Sequence, residues 1–260
     1  TESKNYFKYI VMQLEIEQIL AAIQCVAGGN ADTYIAAMPM FLTAHTCIDL
    51  PALGMAESLI EALHILEGTP YFAVLREPIV RAAETGRLDI CDCERRLYTM
   101  YYMRLLKAIE KNYKGAAKKE LKRTVLRSID MENVVSVHRY TMFFGEDADK
   151  VKSSLIPFRY RLSGEAIERL AAEKDIGKIS AELANIGYRH GAEAPQTVEL
   201  LTERISLDYL RKTLRLSQNA SVVYLALTEL LEIELKNIKT LIEGIRYGLD
   251  GAVILNMLVM

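Results

Sequence analysis

The chain has 260 residues, a formal net charge of −2, and 51% hydrophobic and 25% charged residues. Its fourteen glycines and six prolines are fewer than usual, since the two types together normally make up about 12% of a globular chain. This composition excludes collagen-like and low-complexity chains and disfavours many-stranded sandwiches and barrels. The charge balance argues against a general nucleic-acid binder, and the length allows a sizeable core without disulfides or metal.

The first elements in chain order are predicted from their boundaries. Asn30 suits the cap of a short helix that ends before Pro39, because the residue before a proline resists the helical region. Thr69 followed by Pro70 predicts the start of another helix. The sequence has no uninterrupted run of 18 apolar residues, so we predict no membrane-spanning helix.

The middle of the chain predicts a long helical stretch from about residue 92 to 144, either one helix bent between Asn112 and Gly115 or two helices joined end to end near Gly115. Apolar residues recur every three or four positions there, and a lysine stripe does the same one position along. The stripe consists of Lys107, Lys111, Lys114, Lys118 and Lys122. It is either a solvated helix face or a candidate interface for an acidic partner.

The last third of the chain also predicts helices. Ser163, Asp175 and Thr197 are residue types that begin helices, and residues 187–195 are typical of a loop. A second apolar stripe consists of Leu227, Leu231, Leu235, Ile238, Ile242 and Ile245. No segment alternates with a period of two between turn signals, so we predict an all-α fold.

A short motif occurs three times, and each copy has an acid followed three residues later by an amide. The pairs are Glu15 with Gln18 (copy one), Asp130 with Asn133 (copy two), and Glu234 with Asn237 (copy three). The glycines that follow the copies are Gly28, Gly145 and Gly248. Residues at i and i+3 share a helix face. We therefore expect buried apolar neighbours, an amide bound to a backbone group of another helix, and an acid paired with a base.

Patterns of common active sites are absent from the sequence. It contains no GxxxxGK[ST], GxGxxG, HExxH or GxSxG segment. Glu61 and His64 form one Glu-x-x-His element, but a di-iron bundle needs two. Cys91 and Cys93 are too close together for a zinc knuckle. We predict no catalytic residue, no cofactor and no metal.

The segments around the three copies resemble the C subunit of bacterial and archaeal V-type (A-type) ATPases, whose eukaryotic counterpart is the d subunit. The resemblance rests on residues 9–29, 128–157 and 229–249 and covers most of the chain. The chain departs from the family pattern at Gln18, where the other copies have asparagine. The leader that family members carry before copy one is mostly missing, so we expect a truncated N-terminus.

The resemblance implies a single all-α assembly over residues 1–260, in which three pseudo-symmetric helical lobes form a funnel. The motifs lie near residues 14–39, 128–157 and 232–260. It implies a non-catalytic central-stalk (rotor) subunit, peripheral on the cytoplasmic side of the membrane in a bacterium or archaeon. Such a subunit links the rotor shaft to the proteolipid ring and transmits torque for ion transport. The implied partners are the shaft subunits, the proteolipid ring and the membrane stator subunit, with no nucleic acid and no membrane span.

Two other functions also fit the residues. One is a helical scaffold that binds an acidic partner through the basic face at residues 104–127, which holds nine basic and two acidic side chains. The other is an all-α enzyme that uses carboxylates such as Glu61, Asp147 and Asp149. Salt-sensitive binding would favour the scaffold, and a pocket that gathers the carboxylates would favour the enzyme.

Overall fold

A computed structural model describes residues 2–143, 145, 147–189, 191 and 195–260. Within these ranges the chain forms α-helices and one short 3-10 helix, with no β-strand, which confirms the predicted all-α class. The chain divides into two compact units, residues 1–108 and 109–260. Copy one of the motif lies in the first unit, and copies two and three lie in the second.

The first unit is organised around one long helix, α1, which packs against α2, α3 and α4. The elements are α1 (Glu2–Ala27), α2 (Ala31–Ala37), a 3-10 helix (Met40–Ala44), α3 (Leu50–Met55), α4 (Leu59–Ile65), α5 (Phe72–Thr85) and most of α6 (Ile90–Asn112). The predicted start of α5 at Thr69 is two to three residues early. The Thr69 hydroxyl instead donates to the Leu66 carbonyl oxygen over 2.6 Å.

The second unit is built on three long helices, α7, α11 and α12, which pack against one another. After the end of α6 its elements are α7 (Gly115–Phe143), α8 (Ala148–Ser153), α9 (Gly164–Ala172), α10 (Ile176–Asn185), α11 (Val198–Leu216), α12 (Ala220–Arg246) and α13 (Gly251–Met257). Helix α9 contacts α7, α8 and α10. The apolar core of the unit lies between these helices and one face of α7.

The predicted caps of the second unit are confirmed. Ser163, Asp175 and Thr197 each accept a hydrogen bond from the backbone N–H three residues later, over 3.1, 2.9 and 3.2 Å. Of the two forms predicted for residues 92–144, the structure has two helices, α6 and α7, and not one bent helix. Gly115 has a φ of 58°, and this left-handed conformation interrupts the helical backbone.

Helix α1 contains one segment, Lys8–Ala27, that is long and apolar enough to cross a membrane by length and composition, with a mean hydropathy of 1.5. This segment was not identified from the sequence, because Glu15 and Glu17 lie within it and interrupt the apolar run. The core helix of a globular protein passes the same test. Since Glu15 is buried among protein hydrogen-bond donors, α1 has the features of a core helix.

Candidate functional site: the acid and amide of the repeated motif

The acid of copy two, Asp130, is fully buried on α7 and accepts four hydrogen bonds. Its Oδ1 atom accepts the backbone N–H of Tyr160 over 3.0 Å. Its Oδ2 atom accepts the N–H groups of Arg161 and Leu162, over 2.7 and 3.1 Å, and the Tyr188 hydroxyl over 2.5 Å. Consecutive backbone N–H groups form a binding concavity for an anion. The carboxylate thus fixes the segment before α9 and the segment after α10 to α7.

The acid of copy one, Glu15, is also buried, with 4% of its surface exposed. Its Oε1 atom accepts the Thr46 hydroxyl over 2.7 Å and the backbone N–H of Cys47 over 2.8 Å. Its Oε2 atom accepts the Tyr71 hydroxyl. Burial first, and the proximity of Glu15 second, raise the pKa of the Cys47 thiol to about 11. Glu15 thus fixes two distant segments of its unit to α1.

The two acids therefore have the same kind of partners at matching distances along the chain. The tyrosine follows its acid by 56 residues in copy one and by 58 in copy two. The backbone donors follow by about 31 residues in both copies. Burial first, and the adjacent carboxylate second, raise the pKa of both tyrosines, Tyr71 and Tyr188. The expectation that the acid pairs with a base is wrong for copies one and two, where the hydrogen-bond donors are hydroxyl and backbone N–H groups.

Sequence reasoning missed Tyr71 and Tyr188. The signal that could have found them is their nearly constant separation from the motif acid. The ring of Tyr188 is also covered by the Arg127 guanidinium, whose central carbon lies 4.6 Å from the ring centroid and 4.1 Å from that of Tyr209. Cation–π contacts of this kind hold a ring in place.

The amides of copies two and three each clamp one backbone residue. Asn133 donates to the Ile156 carbonyl over 3.1 Å and accepts the Ile156 N–H over 2.9 Å. Asn237 does the same with Val259, over 2.8 and 2.9 Å. The clamped residues follow the short helices α8 and α13. An amide that binds a backbone group was predicted, and the structure places that group just after the short helix.

Gln18 does not repeat this clamp. Among the described residues no hydrogen bond joins its side chain to the segment that follows α2. The departure noted in the sequence at Gln18 therefore coincides with a missing clamp.

The glycines of the three copies end the long helices. Gly29, Gly145 and Gly248 each lie two residues after the last helical residue, with φ between 63° and 69°. This left-handed conformation closes helices most easily with glycine. In copy one the residue in this conformation is Gly29 and not Gly28, which directly follows α1.

Copy three has a different environment. Glu234 is exposed, and among the described residues no hydrogen bond or ion pair reaches its carboxylate. The apolar stripe of α12 is exposed as well, which makes the expected burial wrong for this copy. The exposed side chains are Leu227, Leu231, Leu235, Ile238, Leu241, Ile242 and Ile245.

The lysine stripe is divided between α6, α7 and the two residues that join them, where Lys114 lies. Lys118 and Lys122 both pair with Glu110, whose Oε1 accepts from Lys122 over 2.5 Å. These two lysines lower the pKa of the Glu110 carboxyl through their hydrogen bonds. Lys107, Lys111 and Lys114 are exposed. They are therefore the members of the stripe best placed to meet a partner.

The carboxylates considered for an enzyme have local partners. Asp147 caps α8 by accepting the Lys150 N–H over 2.9 Å. Glu61 accepts the Glu57 N–H over 2.8 Å, and Asp149 is 97% exposed. His64 is exposed and contacts Glu67 over 2.7 Å. The described residues contain no group of three or more histidine, cysteine or acidic side chains arranged to hold a metal ion.

One further carboxyl group, Glu229, lies half-buried on α12, facing α7 and α11. The Ser128 hydroxyl donates to its Oε2 atom over 3.2 Å, and Arg127 and Tyr209 line the same small pocket. Burial raises the pKa of Glu229 to about 8, with a further contribution from the nearby Glu232 charge. Sequence reasoning missed this group because its burial depends on two other helices.

The sequence pattern of the family described as ATP synthase (C/AC39) subunit matches residues 1–257. The chain belongs to this family. Its curated relatives include three proteins named as the C subunit of A-type ATP synthase, from Thermococcus kodakarensis, Desulfurococcus sp. and Thermococcus gammatolerans. They are 29, 28 and 26% identical to the chain over 161, 156 and 190 residues.

The matches to these relatives cover 60, 60 and 71% of this chain, and 40, 40 and 46% of the relatives. The chain therefore spans less than half the length of the curated relatives that it matches. Family membership and the all-α fold agree with the resemblance noted in the sequence. The resemblance was carried by the repeated motif, whose two buried copies are the residues that fix distant segments to α1 and α7.

Proposed function

We propose that this chain is a non-catalytic central-stalk (rotor) subunit of an A-type or V-type ATPase. It links the rotor shaft to the proteolipid ring and transmits torque for ion transport. The observation that carries the proposal is the family match over residues 1–257, together with relatives named as the C subunit of A-type ATP synthase.

The buried motif supports a mechanical role. A part that transmits torque must resist deformation, and Asp130 and Glu15 each join a long helix to segments 30 to 60 residues away. The oxygens of both carboxylates are occupied by protein donors. Acids held in this way are suited to a scaffold and not to proton transfer to a substrate.

The proposed place of the subunit is the cytoplasmic side of the membrane, peripheral to it. Its proposed partners are the shaft subunits, the proteolipid ring and the stator subunit of the membrane sector. Each motif copy is proposed to organise one of three helical lobes. Packing between long helices supplies the stiffness, and rotor contacts of mixed polar and apolar character are typical of such interfaces.

The first experiment is a pull-down of the tagged chain from membranes of its own cell, solubilised in mild detergent, with mass spectrometry of the proteins recovered. Shaft subunits together with the proteolipid are the expected result. A preparation without any ATPase subunit, from a cell that expresses them, would contradict the proposal.

The lysine stripe is proposed as one of the contact surfaces. Reversing the charge of two of its three exposed residues, Lys111 and Lys114, to glutamate is expected to lower recovery of the ATPase subunits severalfold. Lys178→Glu, at a position with 70% exposure on α10, is the matched control. If the double variant recovers the same subunits as the wild type, the stripe is not an interface. If it loses only an acidic protein unrelated to the ATPase, the scaffold function is favoured.

A further inference from the structure

The three motif helices place the same face in two different environments. In α1 and α7 the aliphatic residues that follow the acid are buried, as in Ile16 and Ile19 or Met131 and Val134. In α12 the corresponding residues are Leu235 and Ile238, which are 58 and 46% exposed. A stripe of this length, on a helix whose amide clamp at Asn237 is formed, is an unpartnered surface of a kind that marks a binding site.

We propose that the apolar face of α12 binds a helical polypeptide segment that brings a tyrosine hydroxyl and a turn of free backbone N–H groups to the Glu234 carboxylate. The two occupied copies of the motif define this chemistry. In each, a phenol and at least one backbone N–H converge on the acid while aliphatic side chains cover its neighbours. The inference rests on the repeat and not on the rotor assignment.

The Glu234 carboxylate decides what kind of occupant fits. A partner that covers Leu235 and Ile238 also takes Glu234 out of water, and a buried carboxylate without hydrogen-bond donors is strongly unfavourable. A lipid acyl chain or a purely aliphatic helix has no donor to offer. A segment like residues 160–205, which donates to Asp130 and covers the apolar face of α7, supplies both the donors and the apolar cover.

The hydrogen bonds of the motif amide, Asn237, support the same kind of bound segment. The clamp of Asn237 on Val259 holds the end of α13 in the way that Asn133 holds Ile156 after α8. In copy two the backbone donors to Asp130 begin four residues after the clamped Ile156. The copy-three clamp thus prepares the place at which such a turn would approach Glu234.

The test is photo-crosslinking with the full chain in its own cell, with benzoylphenylalanine in place of Ile238. The control carries the same group in place of Lys178, which is exposed on α10. The expected result is one dominant crosslinked peptide from position 238 that contains a tyrosine and is not captured from position 178. Capture is expected to fall at least threefold when that tyrosine is changed to phenylalanine.

The conservative variants of the acid make the test specific. Glu234→Asp is expected to retain capture, because copy two uses aspartate, whereas Glu234→Gln is expected to lower it at least threefold. Circular dichroism of the isolated chain checks that neither change affects folding. No effect is expected, because Glu234 is exposed.

Several results would overturn the inference. These are adducts with lipid, crosslinks to residues 1–260 of a second copy, a captured peptide without tyrosine, equal capture by the Glu234→Gln chain, or no capture above the control. The proteins recovered in the pull-down report on the rotor proposal independently, so the two can fail separately.

Discussion

The Tyr188 hydroxyl donates to the Asp130 carboxylate over 2.5 Å, and Tyr71 donates to Glu15 in the other unit. Each pair joins residues almost 60 positions apart in the chain. Because the acids lie on long helices and the tyrosines follow short ones, the pairs fix the short helices in place. The same device thus occurs once in each compact unit.

Tyr188→Phe is expected to destabilise the chain by about 1.5–3 kcal/mol, because a hydrogen bond to a buried charged acceptor is lost. Tyr71→Phe should have a similar effect. Urea denaturation of each variant measures the change in the free energy of unfolding. Tyr160→Phe is the control, since Tyr160 is 40% exposed, and its effect should stay within about 0.5 kcal/mol. Equal effects at all three positions would show that the acid–tyrosine pairs add no stability.

Asn133→Leu is expected to destabilise the chain by about 2–4 kcal/mol, because both backbone groups of Ile156 lose their partner in a buried environment. Asn237→Leu should have a smaller effect, since Asn237 is only half-buried and water can replace the amide. Gln18→Leu is the control because no equivalent clamp is present there among the described residues. The order of the three unfolding free energies is the measurement. A Gln18 variant as damaging as the Asn133 variant would contradict this account.

Local features of the second unit could be predicted from the sequence. Ser163, Asp175 and Thr197 cap helices through backbone groups only three residues away, so residue type and position suffice. The interruption of the long helix at Gly115 was harder to predict. A bend and a complete break have the same sequence signal, and the left-handed φ of one residue decides between them.

The candidate site could be predicted only in part. The threefold motif identified the acids and the amides, and helical periodicity identified the apolar faces, because each of these patterns lies within a single helix. The partners of Asp130 lie 30 to 58 residues away, and periodicity carries no information about such contacts. Periodicity also shows which face of α12 is apolar but not whether another element covers it. The exposure of Ile238 was therefore not predictable.

Glu229 is expected to make stability depend on pH. Its pKa is raised from 4.5 to about 8, mainly by burial, so the folded chain keeps a proton that the unfolded chain loses across this range. The contribution of Glu229 to the free energy of unfolding is therefore greatest below about pH 4.5, and it falls as the pH rises towards 8.

Glu229→Gln removes the titration and should raise the unfolding free energy at pH 9 by about 2 kcal/mol, with little change at pH 5. Urea denaturation at pH 5, 7 and 9 measures this slope. Glu234→Gln, at an exposed carboxyl group, should leave the slope unchanged. If the unfolding free energy of the Glu229→Gln chain kept the pH dependence of the wild type, groups other than Glu229 would be responsible for it.

Alanine at matched positions of the motif tests the difference between the copies. Ile19 and Ile238 each follow their motif amide directly, yet Ile19 is fully buried and Ile238 is 46% exposed. Ile19→Ala leaves a cavity and should destabilise the chain by about 2–4 kcal/mol. Ile238→Ala removes mostly solvated surface and should change stability by less than about 1 kcal/mol.

The same two variants also test whether Ile238 contributes to the exposed apolar surface of the folded chain, with Ile19→Ala as the control for the loss of an isoleucine. The fluorescence of a dye that binds exposed apolar surface should fall for Ile238→Ala, because its side chain contributes to the open face of α12. It should not fall for Ile19→Ala, whose side chain is inaccessible in the folded chain. If Ile238→Ala destabilised the isolated chain as much as Ile19→Ala, the α12 face would be covered within the chain itself, and no external segment would be needed to bury it.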